Sequence, residues 1–512
     1  MSFNETVLDS WTALQQAPVT VQAATALGVG ILITLAYPAL FSSKKSTGIT
    51  ELGGWSILTA WPFFNKRFDF LRENFAKTGE NFFTFKVLHH SVTAMKGPEA
   101  RKAFFDNKYF GFSEGYEILM GAAPRLKDIK EPEEHQEISW FNKQLSLLLN
   151  KQRLSEVLPS LFDDVQARMD GWGKEGRMDP FKNIYDLVFQ MTVRMATCRD
   201  LASDKEALDK LQHDYWVLEK SATPTALLLP WFPSKAKKDK ETSTRNLFTQ
   251  LYGYVEQRRA AEVPSADAID LLIAEGLGNH EIISFILGTI FAGVVNTGIN
   301  SCWALLFLSF NKEWKAKVTA EVHALIQTHT DTSSSTSAEP LHKRLSAIPI
   351  SVWEDEMPIM DLVIRETLRL VLNGTVLRRN LAADVALAGT GKVLPRGNFV
   401  AFPLSDVHLN PEIYADPAAW DPTRFMPGRE EDRKVPFGYL GWGAGRHPCT
   451  GMKVAKLEMK IIVALFLAGY EFDVVDAAGR FPERLPTPDY NDIQQARPVG
   501  PPTFIKFKRV VE

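Results

Sequence analysis

The segment WGAGRHPCTG, from Trp442 to Gly451, decides how this chain of 512 residues is interpreted. Gly443 and Gly445 permit backbone angles that other residues rarely adopt, and they allow a flat ligand to approach the main chain closely. Cys449 is the one strongly nucleophilic side chain in the segment. The pattern therefore indicates a ligand-binding loop built around a single cysteine.

The residues on either side of Cys449 support that interpretation. Arg446 and His447 supply cationic or hydrogen-bonding groups that suit a ligand carboxylate. Gly451 precedes an amphipathic stretch that predicts a helix from Met452 to Leu467. A cysteine at a helix N-terminus faces free amide N–H groups and the positive end of the helix dipole, which favour the metal-binding thiolate. A buried structural cysteine in a glycine-rich turn is the alternative.

This segment resembles the haem-binding loop of the cytochrome P-450 superfamily, Phe-x-x-Gly-x-(Arg/His)-x-Cys-x-Gly. Trp442, Gly445, His447, Cys449 and Gly451 fall on that pattern, with Trp in place of the usual Phe and His in place of the commoner Arg. Both replacements resemble the branch that holds bile-acid-type sterol hydroxylases and prostacyclin synthases, and the His also resembles sterol demethylases. The resemblance implies a mainly α fold with small β-sheets, a haem b cofactor, and Cys449 as the ligand of the iron.

A second motif lies in MPIMDLVIRETLRL, residues 357–370, where a proline opens a predicted helix. Glu366 and Arg369 form an i,i+3 pair, which on a surface contributes little to stability. The apolar residues around them predict burial, and buried charges require each other and a third partner. Arg424 is the candidate for that partner. The resemblance implies that these three residues stabilise the core behind the cysteine loop.

The same resemblance assigns a role to Arg379, ten residues after Arg369. It matches a family arginine that pairs with a haem propionate. The family usually has a proline soon after the Glu-x-x-Arg helix, whereas this chain has Leu372-Asn373-Gly374. The path of the chain into Arg379 therefore departs from the family pattern.

The apolar segment from about Asn279 to Phe310 predicts a helix of roughly 48 Å, at 1.5 Å per residue. Because it is apolar nearly all round, it is either a central buried helix or a membrane span. Its several Gly and Asn residues favour the buried helix. The resemblance implies that this helix crosses the distal face of the haem, where Ala292 and Gly293 match the family motif.

The polar residues after Gly293 depart from that motif. Val295 occupies the position of the family's acid, Asn296 that of the first threonine, and Thr297 that of the second. Reduction of dioxygen requires two protons, which polar groups or ordered water must carry. Asn296 and Thr297 are the candidates for that role, and no carboxylic acid is adjacent to them.

Composition excludes several other classes of protein. A net charge of −3 and a pI near 6.4 give no electrostatic footprint for nucleic acid. Cys198, Cys302 and Cys449 lie far apart, so they indicate neither a disulfide framework nor a zinc site. A reduced, cytosol-facing body fits this cysteine usage.

The N-terminus predicts a membrane anchor. Residues 19–41 carry no charge, and about 20 apolar residues suffice to cross a bilayer. Lys44 and Lys45 follow, which places that side in the cytosol. A signal peptide and a buried helix are the alternatives. The predicted organisation is a short tail at 1–18, a transmembrane helix at 19–41, a linker at 42–60 and one haem-thiolate catalytic domain at 61–512.

A second membrane contact is possible in LLLPWFP, residues 227–233, which precedes a group of lysines. Apolar and aromatic residues beside lysines favour the membrane surface. A solvated loop with a few packed aromatic residues is the alternative, and the sequence does not separate the two.

The resemblance implies a monooxygenase of the endoplasmic reticulum membrane that acts on a hydrophobic small molecule such as a sterol, a terpenoid or another polycyclic metabolite. Electrons would come from NADPH through a separate NADPH-cytochrome P-450 reductase. The missing acid at Val295 favours an alternative, a haem-thiolate isomerase or dehydratase that needs no external electrons. A haem carrier or sensor without turnover is the third hypothesis.

Overall fold

The structure is a computed structural model that describes residues 47–117, 137–229, 232–330, 339–492 and 496–511, together with residues 25 and 28. Apart from those two residues, the predicted tail and anchor lie outside the described residues. The prediction for 227–233 falls partly outside them as well, at residues 230 and 231.

The chain is mainly helical, as the sequence predicts, and its strands form small sheets. The helices are α1 (Ser56–Asn65), α2 (Arg67–Thr78), α3 (Pro98–Asp106), α4 (Phe112–Glu117), α5 (Glu137–Leu148), α6 (Lys151–Asp170), α7 (Pro180–Ala196), α8 (Arg199–Ser203), α9 (Lys205–Lys220), α10 (Pro224–Leu228), α11 (Lys235–Arg259), α12 (Ala268–Ala274), α13 (Asn279–Phe310), α14 (Lys312–His329), α15 (Leu341–Ser346), α16 (Ile350–Asp355), α17 (Pro358–Val371), α18 (Ser405–His408) and α19 (Met452–Gly469).

The largest sheet has the strand order β1-β2-β3-β9-β6-β4, and the remaining strands form the sheets β12-β13-β5, β7-β8 and β10-β11. The strands are β1 (Thr50–Glu51), β2 (Phe82–Val87), β3 (His90–Met95), β4 (Phe110–Gly111), β5 (Glu175–Met178), β6 (Thr375–Asn380), β7 (Val385–Leu387), β8 (Lys392–Leu394), β9 (Phe399–Pro403), β10 (Gly443–Ala444), β11 (His447–Pro448), β12 (Tyr470–Val475) and β13 (Phe504–Arg509).

Helix α13 is the centre of the helical core and spans the residues predicted for it. Among the described residues it is the one helix long and apolar enough to cross a membrane, yet 61% of its most apolar window is buried in the protein. It packs chiefly on α7 and α19. A helix that is apolar all round and covered by neighbouring helices is a core helix, which confirms the prediction of a buried helix.

Two boundaries differ from the sequence prediction. The predicted linker at 42–60 contains β1, which pairs with β2, and the first turn of α1, where Ala60 is fully buried. The folded part therefore begins before residue 61. The sequence also shows an amphipathic stretch from Gln144 to Met169, which predicts one helix. In the structure Asn150 interrupts this stretch and caps α6 by accepting a hydrogen bond from the Arg153 N–H at 2.9 Å.

Candidate functional site

The cysteine loop is a tight hairpin held at both ends. Strands β10 and β11 pair Gly443 with Pro448, and the Cys449 N–H donates to the Trp442 carbonyl at 2.7 Å. Gly445 has a φ of +61°, and a Cβ there would overlap with the Phe105 carbonyl. Neither the backbone angle nor the space allows another residue at Gly445, so the glycine is required by the fold of the loop itself.

Cys449 lies at the exposed end of this hairpin, immediately before α19. The protein packed around the sulfur raises the pKa of the thiol, and the Gly451 N–H that donates to the sulfur opposes that rise. The sequence predicts that the start of α19 stabilises the thiolate, and this N–H is the donor that the helix start supplies.

The structure corrects the assignment of Arg379. Alternate residues of a strand face opposite sides of its sheet, so Arg378 and Arg379 in β6 point apart. The Arg379 Nε donates to the Gly397 carbonyl at 3.3 Å and its guanidinium lies over Phe399, on the side away from the cysteine loop. The family spacing therefore points to Arg379, whereas the arginine that faces the loop is the residue before it.

Arg378 is that arginine. It is 3% exposed, and its guanidinium lies 4.7 Å from the centre of the Phe112 ring, which in turn contacts the His447 ring at 5.7 Å. Its Nη1 donates to the Leu377 carbonyl, whereas its Nε has no hydrogen-bond partner among the described residues. A buried guanidinium nitrogen without a partner is costly, which suits it to an anionic ligand group.

His447, Arg446 and Trp442 occupy three different environments in the loop. The His447 imidazole is half-buried, and burial together with the positive charges of Arg378 and Arg446 lowers its pKa. It is therefore a neutral hydrogen-bonding group and not a cation near pH 7. Arg446 is exposed and is fixed through its backbone N–H, which donates to the Phe105 carbonyl at 3.1 Å. Trp442 packs against the helical core.

The predicted triad is buried and complete. The Arg369 guanidinium makes two hydrogen bonds to the Glu366 carboxylate at 2.7 and 2.8 Å, and the Arg424 Nε donates to the same carboxylate at 3.2 Å. A fourth member, Glu431, binds Arg424 at 3.0 Å. Because Glu366, Arg369 and Arg424 are each at most 1% exposed, the structure confirms that they form a stabilising core and do not reach a ligand.

His408 connects this core to the cysteine loop, and sequence reasoning did not identify it. Its Nε2 accepts from the Leu440 N–H at 3.0 Å, two residues before Trp442, and its Nδ1 lies 3.1 Å from the Leu372 carbonyl. Burial and the charge of Arg369 lower the pKa of His408 to about 3. The imidazole is therefore neutral, with its proton on Nδ1. No local sequence pattern indicates this contact, since the two partners are separated by 32 and 36 residues.

Helix α5 joins the cysteine loop to the distal helix α13. The Thr450 hydroxyl donates to Asn142 at 3.1 Å, and the adjacent Phe141 ring lies 3.1 Å from where a Cβ on Gly288 would be. Both helices are therefore fixed relative to the residue that follows Cys449.

The two predicted distal residues are not equivalent. Asn296 is exposed, whereas Thr297 is 4% exposed and faces the core. Ala292, one turn before Asn296, is also exposed in a helix that is otherwise largely buried. The open face of α13 thus carries Ala292 and Asn296, and Thr297 does not lie on it.

These residues fit a haem. Cys449 would hold the iron through its sulfur, Gly443 and Gly445 carry no side chains that would block a flat ligand, and the Arg378 Nε, which has no partner among the described residues, would donate to a propionate. A model of the cytochrome P450 family matches residues 52–487.

The chain belongs to the cytochrome P450 family.

Curated relatives cover nearly the whole of this P450. Cytochrome P450 monooxygenase AacuE of Aspergillus aculeatus is 30% identical over 473 residues, which are 90% of this chain and 93% of the relative. Cytochrome P450 monooxygenase nsrP of Aspergillus novofumigatus is 29% identical and covers 81% of this chain and 79% of its own length. The sterol 14-demethylase of Arabidopsis thaliana is 25% identical and covers 89% of this chain and 93% of its own.

A solved structure shows the same fold. Retinoic acid bound cyanobacterial CYP120A1 has a TM-score of 0.71 and 19% identity, over 90% of this chain and 99% of that chain. The family model and the relatives show that the protein is a haem-dependent P450 monooxygenase, an oxidoreductase. The relatives do not support the narrower resemblance to bile-acid-type hydroxylases and prostacyclin synthases that rests on Trp442 and His447.

Proposed function

We propose that this P450 inserts one oxygen atom from O2 into a hydrophobic polycyclic molecule, such as a sterol, a terpenoid or another secondary metabolite. We further propose that NADPH supplies the electrons through a separate NADPH-cytochrome P450 reductase. The observation that carries the proposal is the exposed Cys449 at the end of a hairpin that Phe105, Trp442 and His408 hold in place. Both fungal monooxygenases and sterol demethylases among the relatives favour this substrate class.

Haem, when ligated by Cys449, supplies the chemistry that activates O2 for insertion into a C–H bond. Among the chain's own residues, Cys449 would hold the iron, while Arg378 and His447 would hold a propionate by charge and hydrogen bonding. The Asn296 amide, on the open face of α13, can hold a water molecule that passes on a proton. The same face carries Ala292 and suits a hydrophobic substrate.

The ligand role of Cys449 is tested by the absorption spectrum of the reduced, carbon-monoxide-bound protein. The wild type is expected to show the red-shifted Soret band of thiolate ligation, and Cys449→Ser is expected to lose it. Cys302→Ser is the matched control, because that thiol is fully buried and donates to the Pro180 carbonyl at 3.2 Å. Retention of the band by C449S would assign the iron to another ligand.

The reaction class is tested by the stoichiometry of the reconstituted system. With reductase and a sterol or terpenoid library, each hydroxylated product is expected to consume one NADPH and one O2. A product that forms without either reactant would instead support the isomerase or dehydratase that the valine at position 295 favours.

We also propose that the catalytic domain rests on the endoplasmic reticulum membrane, with the domain in the cytosol. An exposed apolar patch at the start of α1 supports this: Trp55, which precedes α1, and Leu58 and Trp61 within it are 48%, 66% and 38% exposed. Helix α10 packs against α1, and Phe232, shortly after α10, is 38% exposed. Exposed aromatic residues followed by lysines favour the bilayer surface, so Phe232 is a further candidate for contact with the lipid.

A further inference from the structure

Helix α7 approaches the distal helix α13 most closely at two glycines. A Cβ on Gly293 would lie 3.1 Å from the Thr192 side chain, and a Cβ on Gly298 would lie 3.1 Å from the Tyr185 ring. Real side chains at these positions would force the helices apart. Val295, Asn296 and Thr297 lie between the two glycines. Helix α7 therefore packs closely against the turn of α13 that carries the candidate distal residues.

Two consecutive backbone carbonyls in that turn accept hydrogen bonds from side chains. The Tyr185 hydroxyl donates to the Val295 carbonyl at 3.2 Å, and the Asn300 Nδ2 donates to the Asn296 carbonyl at 2.8 Å. In a regular α-helix these carbonyls accept from the N–H groups of Ile299 and Asn300. A carbonyl oxygen has two lone pairs, so each of these carbonyls can accept the side-chain donor in addition to the helical N–H, and the second hydrogen bond restrains the peptide group.

Neither side chain loses its donor hydrogen by ionisation near neutral pH. Tyr185 is fully buried, and burial raises the pKa of its hydroxyl well above its usual value, so the group stays protonated. Asn300 is 2% exposed and does not titrate, and its Oδ1 has no partner among the described residues. The amide orientation is therefore set by the single contact to the Asn296 carbonyl.

We propose that Tyr185 and Asn300 are positioning residues that fix the Val295 and Asn296 peptide groups and thereby hold the Asn296 side chain on the open face of the distal helix. This chain has no acid at position 295, so proton delivery depends on the orientation of one amide. The proposal rests on the proposed monooxygenase function, because Asn296 has a role only where O2 is reduced.

The proton balance makes the proposal measurable. A productive cycle converts RH, O2, two electrons and two protons into ROH and water. When proton delivery is misdirected, the same O2, two electrons and two protons leave as H2O2, and RH is unchanged. The ratio of H2O2 to NADPH consumed therefore reports on the placement of Asn296, whereas a loss of folded protein lowers both quantities together.

Tyr185→Phe keeps the ring against Gly298 and removes only the donor. Tyr215→Phe is the matched control, because that hydroxyl is buried, has no hydrogen-bond partner among the described residues, and sits in the same aromatic cluster through Trp216. We expect Y185F, and likewise Asn300→Leu, to raise the H2O2 yield per NADPH several-fold with an unchanged thiolate Soret band. Y215F is expected to match the wild type. Equal yields in Y185F and Y215F would overturn the proposal.

Hydrogen exchange provides a readout that does not need turnover. If Tyr185 and Asn300 restrain the two peptide groups, removing either donor loosens this turn, and the amides of Ile299 and Asn300 should exchange faster than in the wild type. Unchanged exchange in both variants would contradict the proposal. A wild type that forms no product with NADPH would instead reject the proposed function, while exchange would still test these two contacts.

Discussion

Arg378 and Arg379 are adjacent in the sequence, yet their guanidinium groups lie over different aromatic rings, those of Phe112 and Phe399. Counting ten residues from Arg369 selects Arg379, but a strand turns successive side chains to opposite faces. The departure at Leu372-Asn373-Gly374 precedes this strand, and Asn373 caps the end of α17 by donating to the Arg369 and Leu370 carbonyls. The chain enters β6 from this cap, with Arg378 facing the loop.

The two arginines form a natural matched pair for mutation. Arg378→Lys keeps the positive charge but removes the unpaired Nε and the planar fork, so it should weaken haem binding by about 1.5–3 kcal/mol, roughly 10- to 150-fold. Arg379→Lys should leave haem binding nearly unchanged. The rate of haem transfer to a haem-free acceptor protein measures both. Equal rates in the two variants would show that Arg378 is not the preferred propionate partner, and a faster loss from R379K alone would assign that role to Arg379.

His408 makes stability depend on pH. In the folded protein its imidazole stays neutral down to about pH 3, while in the unfolded chain it gains a proton below its ordinary pKa of 6.5. Its contribution is therefore complete above pH 6.5 and is lost as the pH falls towards 3, by about 1.4 kcal/mol for each pH unit.

His408→Gln removes the titrating group and retains an amide that can donate and accept. Between pH 7 and about pH 5, the free energy of unfolding of the wild type should fall by about 2 kcal/mol more than that of the variant. Denaturant midpoints at the two pH values provide the measurement. Parallel losses in the two proteins would show that His408 is not the group responsible.

At the scale of elements, long-period patterns were predictable from sequence and short-range interruptions were not. The distal helix was predicted from Asn279 to Phe310, as it is, because most of its 32 residues are apolar and the pattern is not interrupted. The break at Asn150 was not apparent, since the amphipathic pattern continues through it and only the cap geometry reveals it. Strands β3 and β6 lie outside the β-like runs of the sequence, at 82–88, 385–400 and near the C-terminus, because each is stabilised by pairing with distant β9.

Residues of the candidate site were likewise predictable only where a local motif contains them. Cys449 and the glycines of its loop lie within ten consecutive residues, so the sequence alone indicates them. Tyr185, His408 and Asn142 act through contacts that span 110, 32 and 308 residues, so no local pattern indicates them. Thr297 was placed on the distal face by motif position, whereas the helical rotation turns it into the core.

The contribution of the Glu366–Arg369 ion pair in α17 to the stability of the fold depends on its burial. Glu366→Gln leaves Arg369 and Arg424 buried with a neutral partner, and breaking a buried pair costs about 3–5 kcal/mol. Glu313→Gln breaks an exposed pair of similar geometry, Glu313–Lys317 at 2.6 Å, and should cost at most about 0.5 kcal/mol. Thermal unfolding of both variants measures the difference. Similar midpoints would mean that the triad does not stabilise the fold.

At the scale of the whole molecule, the exposed patch at the start of α1 predicts which side of the catalytic domain faces the bilayer. In vesicles that contain brominated lipids, the fluorescence of tryptophans at the bilayer surface is quenched. Trp55→Phe and Trp61→Phe should each reduce the quenched fraction of the full-length protein, because both side chains are exposed in this patch. Trp303→Phe is the control, since Trp303 is fully buried and donates to the Ala496 carbonyl at 2.9 Å. A reduction in W303F alone would place the patch away from the lipid.

The early start of the folded part, at β1, has a geometric consequence. If the proposed anchor leaves the bilayer at residue 41 and β1 begins at Thr50, eight residues connect them, from 42 to 49. A fully extended tether of that length reaches at most about 29 Å, which is less than the length of the distal helix. With such an anchor, the catalytic domain would stay close to the membrane surface. A lipid-soluble substrate would then reach the enzyme by diffusion within the bilayer, and the substrate's concentration in the lipid, not in water, would set how often the two meet.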